Sequence, residues 1–99
     1  MQSVRLLPET HLLVCVNRRE PGSPLGPGCA ERGDVLYDAL KDEVLRRGLV
    51  RPVWVTKTHC IGICPKDGAT VATYPRQAIW AGAHPSDAAA LVQKARGET

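Results

Sequence analysis

The chain has 99 residues, enough for one domain that buries roughly 65% of its unfolded surface, and its 43% hydrophobic and 23% charged content is that of a globular fold. Thirteen Lys and Arg against ten Asp and Glu leave a formal charge of +3, with no basic stripe and only two Trp and two Tyr as aromatics, which argues against nucleic-acid binding. No segment reaches the ~20 apolar residues of a membrane span, and residues 1–10, with Pro8 and Glu9, lack a signal-peptide core, so a cytoplasmic protein with reduced thiols and no membrane attachment is expected.

Residues 1–10 read as a lead segment and residues 11–97 as one domain without repeat or linker. Residues 12–16 are an unbroken apolar run, the pattern of a central strand covered on both faces. Residues 17–32 carry Pro21, Pro24 and Pro27 with Gly22, Gly26 and Gly28, a loop longer than most connections and therefore a functional one. A helix should open at Gly33-Asp34, with Asp34 at its cap or in its first turn. Leu36, Leu40 and Val44 form its buried stripe, and Arg46 and Arg47 suit its C-terminal end. Gly48 is the expected left-handed stop, with Leu49 folding back on Val44.

A second strand is expected over 52–56, with Trp54 packed, giving a right-handed parallel strand–helix–strand unit. Residues 70–74 and 77–81 read as a hairpin turning at Pro75-Arg76. His84-Pro85-Ser86-Asp87 opens a last helix whose stripe is Ala88, Leu91, Val92 and Ala95, ended by Gly97. The order is β-α-β-β-β-α, an α/β (α+β) domain with helices packed against one sheet. Trp80 is assigned to core or subunit packing, and His11 and His84 to structural positions.

The chemistry lies in four cysteines, Cys15, Cys29, Cys60 and Cys64, spaced C-x13-C and C-x3-C. If the first two strands are parallel neighbours, Cys15 and Cys60 fall at one edge of the sheet, where ligands of such sheets bind. The long loop can return Cys29 to that edge, and Gly62 permits the turn that brings Cys64 beside Cys60. In a reducing compartment four such thiols favour a metal centre over disulfides. A structural zinc site generally uses two short knuckles, and only Cys60 and Cys64 are that close. A 2Fe-2S centre takes four thiolates, two per iron, and accommodates the long first loop. Gly22, Gly26, Gly28 and Gly62 are candidates for amide donors to sulfur, and Arg18, Arg19, Lys57 and Lys66 for nearby cations. A Rieske arrangement through His59 is disfavoured because the thiols already fill the ligand set.

On these residues the chain resembles the thioredoxin-like 2Fe-2S ferredoxins. The match runs from Val14-Cys15-Val16-Asn17-Arg18 through Gly28-Cys29-Ala30-Glu31-Arg32-Gly33 and Thr58-His59-Cys60-Ile61-Gly62-Ile63-Cys64 to Tyr74-Pro75, Ile79-Trp80 and His84-Pro85-Ser86-Asp87. It departs at Pro65-Lys66-Asp67-Gly68-Ala69, directly after Cys64, and at Ala81; these changes leave the four cysteines in place and bear on the local loop shape and the dimer surface. The resemblance implies a thioredoxin-like fold with a mixed four-stranded sheet and two main helices. It also implies a 2Fe-2S cluster near the surface, with Cys15, Cys29, Cys60 and Cys64 as ligands, Cys15 and Cys29 on one iron and Cys60 and Cys64 on the other. The implied function is a one-electron carrier, not an enzyme, pairing as a homodimer and meeting redox protein partners that donate and accept the electron. Two other classes stay open: a structural zinc module serving as a scaffold, and a dithiol oxidoreductase, although neither cysteine pair has the C-x-x-C spacing the latter uses.

Overall fold

The computed structural model describes residues 1–98. Its elements are β1 (Thr10–Cys15), α1 (Ala30–Arg46), β2 (Val53–Thr58), β3 (Ala69–Tyr74), β4 (Ala78–Ala83), a short 3-10 turn (Pro85–Asp87) and α2 (Ala88–Ala95). The strands form one mixed sheet in the order β2-β1-β3-β4, with β1 and β2 parallel and the other neighbours antiparallel. This is the expected β-α-β-β-β-α architecture.

Alternation along the strands decides which face is covered. Leu12 and Val14 of β1, Val53 and Val55 of β2 and Val71 of β3 are buried against Leu36, Leu40 and Val44 of α1 and Leu91 and Val92 of α2. The two helices also pack on one another, so both lie on the same face. The expectation that the first strand is covered on both faces is therefore corrected: His11 and Leu13 point to the opposite, helix-free face and are only half-buried. The same correction holds for Trp54, which stands beside His11 in register and is exposed, its ring edge-on to the His11 ring with centroids 5.9 Å apart. A run of apolar residues cannot by itself say whether a second layer exists to cover it.

Helix α1 begins at Ala30, earlier than the Gly33-Asp34 start expected, and Asp34 lies inside it. Cys29 occupies the cap position with φ −75° and ψ −36°, already helical, so the chain has turned before it reaches Gly33. Glycine at 33 serves close packing instead of helix initiation: a β carbon there would stand 1.9 Å from the Cys15 carbonyl oxygen. The other end of α1 closes as expected. Gly48 has φ +69°, Leu49 N–H donates to Val44 O at 2.9 Å and Gly48 N–H to Leu45 O at 3.1 Å, the paired bonds of a Schellman cap. Strand β2 runs on to Thr58, beyond the expected end, because β1 continues to pair with it through Cys15 opposite Thr58.

Candidate metal centre

Parallel pairing ends β1 and β2 together. Cys15 is the last residue of β1, Val16 N–H donates to Thr58 O at 2.9 Å, and Cys60 follows two residues after β2. From Cys15 the chain leaves in a loop that closes on itself. Arg19 N–H donates to Pro27 O at 3.2 Å, Gly26 N–H to Ser23 O at 3.1 Å and Ala30 N–H to Asn17 O at 3.1 Å. The return is so tight that a β carbon on Gly28, whose φ is +81°, would stand 2.1 Å from Asn17 O; no other residue fits. The loop thereby delivers Cys29, fully buried, next to Cys15, which is 1% exposed.

Cys60 and Cys64 form a second, exposed pair with sulfurs 3.8 Å apart. The turn between them passes through Gly62, whose φ is +106° and whose N–H donates to Cys60 Sγ at 3.2 Å. This loop is tied inward by the buried Thr70, whose hydroxyl donates to Ile63 O at 2.9 Å. Thr70 also lies against Cys29, so one residue of β3 connects the buried thiol pair to the loop of the exposed pair.

A second tie is Arg32. Its guanidinium donates to Gly28 O at 2.8 Å and to Pro65 O at 3.1 Å, clasping the residue before Cys29 to the residue after Cys64. Between the two loops lies a cleft of about 470 Å³, with Leu25, Gly28, Arg32, Cys64 and Pro65 in its walls.

The two pairs differ electrostatically. Burial pushes the Cys29 thiol up; Thr70 N–H opposes this, and the neighbouring Cys15 thiol adds to it. The Cys64 thiol is held below its ordinary value by the Arg19 guanidinium, whose Nη2 stands 3.0 Å from Cys64 Sγ and 3.4 Å from Cys60 Sγ. Arg18 and Lys57 are directed elsewhere, onto Asp34 at 2.8 and 3.2 Å.

The structure thus brings Cys15 to Cys29 and Cys60 to Cys64, both pairs at the edge where β1 and β2 end. Among the described residues it does not gather three or more His, Cys, Asp or Glu side chains around a point where one ion would sit. His59 is exposed next to Cys60, His11 bonds the Thr56 hydroxyl at 2.7 Å, and His84 bonds Asp67 at 3.0 Å.

No family model matches the chain. It is, however, 33% identical over 87 residues to the "Ferredoxin, 2Fe-2S" of Aquifex aeolicus strain VF5, an alignment covering 85% of this chain and 76% of that protein. The chain belongs to the 2Fe-2S ferredoxin family. Solved structures of a thioredoxin-like [2Fe-2S] ferredoxin from Aquifex aeolicus agree with it in fold. One superposes with a TM-score of 0.77 at 29% identity over 93% of this chain and 91% of that one. Another gives 0.77 at 28% identity over 94% and 86%. The sheet order and the two helices described above are thus the thioredoxin-like arrangement of this ferredoxin family.

Two residues of the site escaped the sequence. Arg32 stood within the matched motif without a role, and Thr70 looked like an ordinary strand residue. Each acts on a carbonyl outside its own element, Arg32 on one 33 residues away and Thr70 on one 7 residues away, in the loop before its strand. The one available signal was an arginine three positions after a cysteine that a loop returns to the sheet edge.

Proposed function

We propose that the protein is a one-electron carrier whose 2Fe-2S cluster is held by Cys15, Cys29, Cys60 and Cys64, with Cys15 and Cys29 on one iron and Cys60 and Cys64 on the other. The observation that carries this is the arrangement of the four thiols as two pairs at one sheet edge, tied together by Arg32 and Thr70. A single zinc ion draws four ligands to one point. Two irons take two thiolates each, and the donor set here has that form. Family membership points the same way.

When bound, the cluster supplies one-electron chemistry; the chain supplies everything around it. The Cys15–Cys29 pair is buried and the Cys60–Cys64 pair is exposed, which favours the latter as the side that a redox partner approaches. Gly62 N–H and Arg19 donate to the exposed sulfurs and offset the negative charge of thiolates there. No proton transfer and no substrate pocket are required, so the chain acts as a carrier and not as an enzyme.

The helix-free face of the sheet supports pairing as a homodimer. Trp54, Tyr74 and Ile79, exposed at 37%, 41% and 46%, share it with His11, Leu13 and Ala72 in cross-strand register. Ile79→Lys should convert a dimer to a monomer in sedimentation, and a wild-type monomer would refute the pairing. Four free cysteines suit a reducing, cytoplasmic setting.

The deciding measurement is metal, sulfide and spectrum of anaerobically purified protein. Two irons and two labile sulfides per chain are expected, with visible absorption bleached by dithionite and a spin-half signal on reduction. A colourless chain loading one zinc would refute the proposal. In Cys29→Ser the spectrum should be lost or distorted; an unchanged one removes Cys29 from the ligand set.

A further inference from the structure

Of the five Lys and Arg within four residues of a cysteine, Arg19 is the one that reaches sulfur among the described residues. Its Nη2 spans Cys64 Sγ at 3.0 Å and Cys60 Sγ at 3.4 Å, while its Nη1 donates to Leu25 O at 3.1 Å and its own N–H to Pro27 O at 3.2 Å. The guanidinium is therefore fixed from behind by the long loop and presented to both exposed thiols at once. Arg18, one residue earlier, is bonded to Asp34 at 2.8 Å, and Lys57 is shared between Asp34 at 3.2 Å and the Tyr37 ring at 4.8 Å. Their charge is already matched by a carboxylate, whereas that of Arg19 faces the sulfurs.

We infer that Arg19 is the residue that positions and poises this site for reduction, by donating hydrogen bonds from one loop-anchored guanidinium to the sulfurs of both Cys60 and Cys64. The role presupposes the electron-carrier function proposed above. On reduction the site gains one electron from an external one-electron donor, and with it one negative charge; no bond forms or breaks. A charge-assisted donor to the ligand sulfurs favours the more negative state and so raises the reduction potential. The planar fork matters as well as the charge. A lysine ammonium is a point charge on a flexible stem and cannot hold two sulfurs and a carbonyl in one rigid geometry.

The test is the potential of the cluster-loaded protein, titrated with dithionite and followed by visible absorption, with the spectrum of the reduced state as a second readout. Arg19→Gln should lower the equilibrium constant for reduction about tenfold, which for one electron is a fall of about 59 mV. Arg19→Lys should fall part of the way, and Arg18→Gln should leave the potential in place. An unchanged potential in Arg19→Gln overturns the inference, as does an equal fall in Arg18→Gln, which would show a diffuse field in place of a specific contact. Should Arg19→Gln not retain the cluster, Arg19→Lys decides: a lower potential supports the role and a wild-type potential overturns it. A wild-type chain without iron and sulfide is a separate outcome, read before any titration; it refutes the carrier function and this inference with it.

Discussion

The α carbon of Gly33 faces the carbonyl oxygen of Cys15 so closely that a β carbon on it would stand 1.9 Å away, and 2.9 Å from the carbonyl carbon. Helix α1 thus rests directly on the end of β1, and this contact sets where Cys29, at the cap of the helix, lies relative to Cys15. Backbone stands on both sides, so neither partner can turn aside. Gly33→Ala should cost about 3 kcal/mol, the upper end of overpacking effects, and lower the thermal midpoint by roughly 15 °C. Calorimetry checks the stability. Iron content checks the second expectation, that the displaced helix impairs cluster retention.

Ala30, the first residue of α1, has φ +46°, in the left-handed region that L side chains populate at a cost. It follows Gly28 at +81°, so the reversal that brings Cys29 home is completed by a residue poorly suited to it. Ala30→Gly relieves a strain of about 1–2 kcal/mol and adds about 0.4–1 kcal/mol of unfolded-chain entropy. The net expectation is a variant more stable by about 0.5 kcal/mol, visible as a higher urea midpoint at unchanged slope. A destabilised variant would show that the methyl group contributes packing that outweighs the strain.

Arg32 donates to carbonyls on both cysteine loops, at Gly28 and Pro65. Arg32→Met keeps most of the side-chain volume and leaves both carbonyls without that partner. A loss of about 2 kcal/mol is expected. Because the clasp joins the loops of the two thiol pairs, cluster loss on exposure to a chelator should quicken more than global unfolding does. Equal acceleration of the two would make Arg32 a general stabiliser instead of a loop clasp.

Asp34 is held below the ordinary carboxylate value of 3.8 by the hydrogen bond from Arg18 first and from Lys57 second. Its folded-state value is thus depressed, so the stability it confers is full above the unfolded value and is lost as pH falls below about 3.8 through the folded value. Asp34→Asn should therefore lower the urea midpoint at pH 7, and the gap between variant and wild type should close as the pH is lowered through this acid range. A gap that persists unchanged at the acid end would mean that the effect is not ionic.

Local patterning sets the elements, their order and the chemistry available to them. Period-four apolar positions at Leu36, Leu40 and Val44 set the buried face of α1, Gly48 its left-handed end, and four cysteines the kind of centre the chain can build. These are legible because they depend on neighbours a few positions away. The packed fold leaves one face of the sheet open, which exposes Trp54, and starts the helix at Ala30 with Gly33 spared for contact with Cys15. It alone also selected Arg19 over Arg18 as the cation on the sulfurs and gave Arg32 and Thr70 their ties across the site. These outcomes depend on how separate elements pack and on which polar group finds a partner across them, and local patterning carries no record of such pairings.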